Sequence, residues 1–335
     1  MDSLHSIVQQ LFAEPKGLLA ADESTKSATK RFESLHIEST EENRRLYRQL
    51  LFTTPNVAQY ISGVILYDET IRQTTDDGTP FTTYLQQNSI ILGIKVDKGL
   101  VDFTSFPGET ITEGLDGLAQ RLAEYYKMGA RFTKWRAAFA IDETQKLPTM
   151  AAIHANLNQM ARYASLVQAA GMVPIVEPEV LYDGTHSLKA CQDSLSTVLR
   201  ILFELLVAYR VDLSGVILKS SMVMAGKDNP QQSTPVEVAT ATLQVFNQRL
   251  PKELGGVVFL SGGETPDQAT ANLNAIGKAG KQPWPITFSF SRAVQDPAMQ
   301  AWDGKAENVQ KAQTIFAELL ANNSAARDGK FSPKK

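Results

Sequence analysis

Three lysines stand within or at the end of otherwise apolar stretches: Gly93-Ile-Lys95, Phe132-Thr-Lys134 and Ile217-Leu-Lys219. An ammonium group in such surroundings is costly unless it is paired or used. Carboxylates fall in matching places. Glu177 closes the run Val173-Pro-Ile-Val-Glu177, Glu179 follows two residues on, and Asp22 follows Gly17–Ala21. Glu177 lies between Lys134 and Lys219 in chain order, which permits a Lys–Glu–Lys cluster. A cationic neighbour and partial desolvation both favour a neutral amine. A neutral amine can attack a carbonyl and form a Schiff base. The resulting iminium is an electron sink, so a carbon–carbon bond beside it can break. Glu177 and Asp22 are the carboxyl groups available to move protons in such a reaction. On this pattern alone any of the three lysines could be the nucleophile. The competing reading is a buried ion-pair cluster that only tunes packing.

A second layer of residues suits anions. Ser261-Gly262-Gly263, followed by Glu264, Thr265 and Pro266, is a Gly-rich turn running into a helix. Exposed amides at such a turn can hold a phosphate. The last apolar run carries Ser289 and leads into Arg292, which can add a charge-assisted fork. Ser24 and Ser27 follow Asp22, with Lys30 and Arg31 one turn later. They offer hydroxyls and cations for a second phosphate. Two anion sites flanking a lysine cluster point to a bisphosphorylated substrate.

The elements that must position these groups are short and recurrent. Apolar runs occur at Gly17–Ala21, Ser62–Tyr67, Ile90–Val96, Arg131–Arg136, Val173–Glu177, Gly215–Lys219, Val257–Ser261 and Ile286–Phe290. Their character suits parallel strands buried on both faces. Helical spacing is present in Thr112–Met128, Met150–Ala170, Lys189–Tyr209, Val236–Arg249 and Pro266–Lys278. Thr234-Pro235 and Thr265-Pro266 are helix starts and Gly171 is a helix stop. Eight strand–helix units predict an α/β fold, a (β/α)8 TIM barrel, over one domain of residues 1–335. A doubly wound open sheet is the alternative. The lysines and carboxylates then fall at the carboxyl ends of strands, where barrel enzymes keep their chemistry. Residues 325–335 are expected to form a loose tail.

The chain has 335 residues, 43% of them hydrophobic, and a net charge of −3. That balance gives no reason to expect nucleic acid as a partner. No apolar run approaches the length needed to span a membrane. Cys191 is the single cysteine, so no intramolecular disulfide can form. His5, His36, His154 and His186 are scattered without metal-ligand spacing, and no metal site is expected. The N-terminus reads as an amphipathic helix without a leader pattern, so a cytoplasmic protein is expected.

The motifs Leu18-Leu-Ala-Ala-Asp-Glu-Ser24, Thr40-Glu-Glu-Asn-Arg-Arg45, Gly93-Ile-Lys-Val-Asp-Lys-Gly99, Lys134-Trp-Arg136, Val173-Pro-Ile-Val-Glu-Pro-Glu179, Leu218-Lys219 and Phe259-Leu-Ser-Gly-Gly263 resemble those of class I fructose-1,6-bisphosphate aldolases. The resemblance implies that Lys219 forms the Schiff base and that Glu177 is the acid/base of carbinolamine conversion. It implies that Asp22 is the base for the 4-hydroxyl, that Lys134 stabilises developing charge and positions both carboxylates, and that Glu179 holds Lys134. It assigns Ser261, Gly262 and Arg292 to the 1-phosphate. Ser24, Ser27, Arg31, Lys95 and Arg136 go to the other phosphate or the sugar hydroxyls. It also implies sugar-phosphate substrates, no cofactor, no metal and a homotetramer. Three departures stand out. Lys26 replaces a common Gly, and Ser291 replaces a Gly, which makes any φ > 0 requirement there harder to meet. Better-known members continue into a Tyr-ended tail that assists proton exchange, and without such a tail this step is expected to use water, another residue or a different loop. Sedoheptulose-1,7-bisphosphate or fructose-1-phosphate as preferred substrate, and a non-catalytic barrel scaffold, are the alternatives.

Overall fold

The computed structural model describes residues 3–333. Eight parallel strands follow one another round a single sheet: β1 (Gly17–Ala20), β2 (Ile61–Leu66), β3 (Ile91–Lys95), β6 (Phe132–Phe139), β7 (Val173–Val180), β8 (Ile217–Ser220), β9 (Gly256–Phe259) and β10 (Ile286–Phe288). The amide of Ala20 donates to the carbonyl of Phe290 at 3.1 Å, and this bond joins the last strand to the first. The fold is a TIM barrel, as the eight apolar runs predict. The open-sheet alternative fails because its two edges meet.

Two further strands, β4 (Gly99–Asp102) and β5 (Thr110–Glu113), form an antiparallel hairpin after β3. This corrects the expected helix from Thr112. The segment 110–113 is a strand, and helix α6 is shorter, Leu118–Lys127, entered through Gly117 at φ 66°. Strand β6 extends to Phe139 and β7 to Val180, each three residues beyond expectation. The two pair in register over their whole length, from Phe132↔Val173 to Phe139↔Val180.

Helices follow most strands and cover the outside. They are α2 (Thr25–Glu33), α3 (Glu41–Phe52), α4 (Asp68–Ile71), α5 (Phe81–Gln87), α7 (Met150–Ala169), α8 (Leu188–Ala208), α9 (Pro235–Arg249), α10 (Pro266–Lys278), α11 (Arg292–Trp302) and α12 (Val309–Arg327). The proline-led starts are real. Thr234 caps α9 in a capping box with Glu237, and Thr265 caps α10. Each hydroxyl accepts a backbone N–H that the first turn would otherwise leave unpaired. Residues 325–327, expected in the tail, belong to α12, and Ala326 is buried because the helix end packs on α10. Beyond it the Phe331 amide donates to Asn274 Oδ1 at 3.0 Å, which ties the chain down further. Residues 334–335 of that expected tail lie outside the described residues.

A strand alternates its side chains with period two, so each barrel strand sends every second residue inward. At the lower end these are Leu18, Ala20, Ile65, Phe132, Val173, Ile175, Ile217 and Val258. Helix α1 (Leu4–Leu11) closes that end with Ile7, Val8, Leu11 and Phe12. Phe132 fills the interior because Gly93 faces it: a Cβ on Gly93 would stand 2.2 Å from the ring. A second, larger cluster lies between barrel and helices, where the rings of Trp135 and Tyr163 of α7 meet at a tilt with centroids 5.3 Å apart. The packing therefore fixes which strand face looks inward before any polar residue is considered. No helix among the described residues is long and apolar enough to cross a membrane.

Candidate active site

The same alternation places the reactive groups. Two residues above Phe132 is Lys134, two above Ile175 is Glu177, two above Ile217 is Lys219, and two above Ala20 is Asp22. Burying the lower apolar residues forces these four into the carboxyl end of the barrel interior. All four are buried. Lys219 Nζ lies 3.0 Å from Glu177 Oε1, and Lys134 Nζ lies 3.0 Å from Glu177 Oε2 and 2.6 Å from Asp22 Oδ2. The Lys–Glu–Lys cluster permitted by chain order is thus present, with Asp22 attached to it.

Charge pairing sets the ionisation of this cluster. Burial would raise the Glu177 carboxyl, but Lys134, Lys219 and Arg136 outweigh it and bring it down to about 2. Burial would lower the Lys134 ammonium, yet Asp22 and Glu177 hold it well above the ordinary lysine range. Lys134 therefore stays protonated and acts as a fixed positive charge between two carboxylates.

Lys95 and Arg136 line the rim. Lys95 Nζ donates to Asp97 Oδ1 at 2.5 Å, and the other Asp97 oxygen accepts from the Arg136 amide at 3.3 Å. Arg136 Nε donates to Glu179 Oε2 at 2.5 Å. This corrects the expected pairing of Glu179 with Lys134. Glu179 is two residues further up β7 than Glu177, level with Ala138, so it meets the guanidinium of Arg136 while Lys134 is held lower in the barrel.

The two anion-suited regions follow β9 and β1, which stand on either side of β10 in the closed barrel. After β9, Gly262 and Gly263 take φ values of 51° and 103°, which L side chains rarely adopt. The Glu264 amide closes the turn on the Ser261 carbonyl at 2.8 Å. Arg292, exposed at the start of α11, reaches over the turn: its Nη2 is 3.5 Å from where a Cβ on Gly263 would stand. Ser289 is buried, and its hydroxyl has no hydrogen-bond partner among the described residues. After β1, Ser24 caps α2 by accepting from the Ser27 amide at 3.3 Å, and the two hydroxyls lie 3.1 Å apart. Ser27 and Lys26 are exposed there.

Arg31 departs from expectation. It is engaged within the protein, pairing with Glu23 and, at 2.5 Å, with Asp296. Glu23 also accepts from Arg48 at 2.7 Å, from the Ser291 hydroxyl at 2.5 Å and from Gln295 at 3.2 Å. Burial, which would raise the Glu23 carboxyl, is overcome by Arg48 and Arg31, which bring it down to about 2. Sequence reading passed over Glu23, whose partners lie as far as 272 positions away. The concern over Ser291 also resolves. Its φ is −110°, so the site needs no left-handed residue, and its hydroxyl ties the β10–α11 turn to the β1–α2 turn.

A barrel with an amine, a fixed cation and two carboxylates packed at its carboxyl end, flanked by anion-suited turns, is built for carbonyl chemistry on a phosphorylated substrate. The family model for class I fructose-bisphosphate aldolase matches residues 3–335. A probable class 1 fructose-bisphosphate aldolase of Xanthomonas campestris pv. campestris is 48% identical over 99% of both chains. The cytosolic fructose-bisphosphate aldolase 5 of Arabidopsis thaliana is 46% identical over 99% of this chain and 92% of that one. A solved structure of the fructose-bisphosphate aldolase from Plasmodium falciparum superposes with a TM-score of 0.97 at 44% identity, covering 99% of this chain and 95% of that one. The chain belongs to the class I fructose-bisphosphate aldolase family, metal-independent carbon–carbon lyases that work through a Schiff base.

Proposed function

We propose that Lys219 is the nucleophile of reversible fructose-1,6-bisphosphate cleavage and that Glu177 is its proton partner. The observation that carries this reading is the 3.0 Å contact between Lys219 Nζ and Glu177 Oε1. Passing one proton across it converts an ammonium and a carboxylate into a neutral amine and a carboxylic acid. The amine then adds to the substrate carbonyl, and the acid returns its proton to the departing hydroxyl as the carbinolamine loses water. Asp22 takes the proton of the 4-hydroxyl, the bond between carbons 3 and 4 breaks, and its electron pair moves into the iminium to leave an enamine. Glyceraldehyde-3-phosphate departs first. Protonation of the enamine and hydrolysis of the Schiff base release dihydroxyacetone phosphate.

Lys134 stays charged throughout and offsets the negative charge that passes between Glu177 and Asp22. Ser261, Gly262, Ser289 and Arg292 bind one phosphate. Ser24, Ser27 and Lys95 serve the other end, with Lys26 adding charge there. Arg136 and Glu179 frame the rim between them, and Arg31 acts through Glu23 rather than on the ligand. The chain works as a single barrel domain, in a homotetramer in the cytoplasm. The location is supported by cytosolic and cytoplasmic relatives from Arabidopsis thaliana and Spinacia oleracea. The tetramer is supported by family membership, and light scattering at chromatographic elution tests it.

Borohydride reduction in the presence of fructose-1,6-bisphosphate tests the mechanism. Mass spectrometry is expected to find the three-carbon or six-carbon adduct on Lys219, with turnover unaffected by a metal chelator. An adduct on Lys134 or Lys95, or none at all in an active enzyme, would overturn the assignment.

A further inference from the structure

Glu264 is a carboxyl group that the chemistry above does not use, and its setting is unusual. It follows Gly263 directly and precedes Thr265, the cap of α10. Its backbone amide closes the Ser261–Glu264 turn. Its side chain turns into the protein and is buried. One carboxyl oxygen accepts from Asn272 Nδ2 at 2.6 Å, and Asn272 is itself buried on α10. Among the described residues the carboxyl makes no ion pair.

The groups facing it come from several elements. A small cavity shared with Gly262 is lined by Tyr182 and His186 from the segment after β7, Cys191 from α8, and Ser221 and Met224 from the segment after β8. Burial lowers the His186 imidazolium and lifts the Cys191 thiol to about 11. Both are therefore uncharged from neutral pH to mildly alkaline pH. The flanking charges belong to Glu179, whose Oε1 lies 3.7 Å from where a Cβ on Gly262 would stand, and to Arg292 over Gly263. An ionised Glu264 would have no cation among the residues lining its cavity, and would act on any phosphate the turn holds.

We propose that Glu264 is a positioning residue for the anion-binding turn Ser261–Gly263, supporting it only while its side chain is uncharged, so that the phosphate end of the substrate binds more weakly as the pH rises. The inference rests on the reading of that turn and Arg292 as a phosphate site. Burial, opposed by the Asn272 bond, lifts this carboxyl to about 8, which puts the change inside a workable range. Sugar phosphates, with a second pKa near 6, keep their charge above that range's lower end.

The test is the KM for fructose-1,6-bisphosphate between about pH 7 and pH 9.5, in the wild type and in Glu264→Gln. The wild-type KM is expected to rise roughly tenfold across that range, from added charge repulsion near the phosphate. The Glu264→Gln profile stays flat across the same range. Profiles that rise together, or a flat wild-type profile, overturn the inference. Should Glu264→Gln not fold, competitive inhibition of the wild type by dihydroxyacetone phosphate decides. It must weaken over the same range, and constant inhibition overturns the inference. Absence of turnover and of a Lys219 adduct at neutral pH is a different failure. It sinks the phosphate-site reading and takes this inference with it.

Discussion

Glu177 touches both lysines, so its replacement separates electrostatics from chemistry. Glu177→Gln keeps the shape but removes the proposed proton acceptor of Lys219 and the charge that Lys134 faces. Loss of a positioned acid/base costs roughly a hundred- to ten-thousandfold in rate. The expected outcome is a fall of that size in kcat with KM changed little, because neither anion-binding turn is touched. Borohydride trapping should slow in parallel. Steady-state kinetics with timed trapping checks this, and unchanged trapping would move the proton role elsewhere. Of the residues in this cluster, Lys134, Glu177, Lys219 and Asp22 were legible because a charge inside an apolar run stands out. Glu23 and Glu264 were not. Each follows or precedes polar residues in the chain and reads as an ordinary loop carboxylate. Only the fold shows that one is gripped by two arginines and the other sealed in beside Asn272.

At the scale of elements, the Gly-rich turn is where conformation and binding meet. Gly263 holds φ at 103°, and a Cβ there would approach Arg292 Nη2 at 3.5 Å. The strain matters more than the space, since L side chains avoid this region. Gly263→Ala is expected to cost about 1 kcal/mol or more in unfolding free energy. It should also raise KM for fructose-1,6-bisphosphate more than it lowers kcat. Denaturant unfolding and kinetics on the same preparation check both parts. The strands themselves were readable because parallel strands buried on both faces leave continuous apolar runs. The β4–β5 hairpin was not. It is short, half exposed and threonine-rich, and Thr110–Glu113 joins a helical pattern without a break in polarity. The extra length of β6 and β7 escaped notice because the charged Arg136 and Glu177 look like strand ends, so residues 137–139 and 178–180 beyond them read as loop.

At the scale of the whole molecule, α1 acts as a stopper. Leu11 is fully buried against the barrel's lower interior. Leu11→Ala leaves a hole that the surrounding strands cannot close, and such changes cost about 2–5 kcal/mol. Stability should drop by that amount while kcat and KM stay near wild type, because the stopper and the reactive cluster lie at opposite ends of the barrel. Thermal unfolding and steady-state assays distinguish this from a general loss of structure. Sequence reading saw an amphipathic N-terminal helix but not its destination, because amphipathicity shows that a face is covered and not what covers it.

The closure of the barrel also has a consequence for how the site comes into being as the chain is made. Glu23 and Ser291 meet across the seam between the first strand and the last, 268 positions apart. A ribosome releasing the chain from its N-terminus delivers Asp22, Lys134, Glu177 and Lys219 well before β10 and α11. Until those last elements arrive, Arg31 lacks Asp296, Glu23 lacks Ser291, and β1 lacks the carbonyl of Phe290. The reactive groups are thus all synthesised before they are confined, and a growing chain carries Lys219 through the synthesis of β9, α10 and β10 before the frame around it is complete.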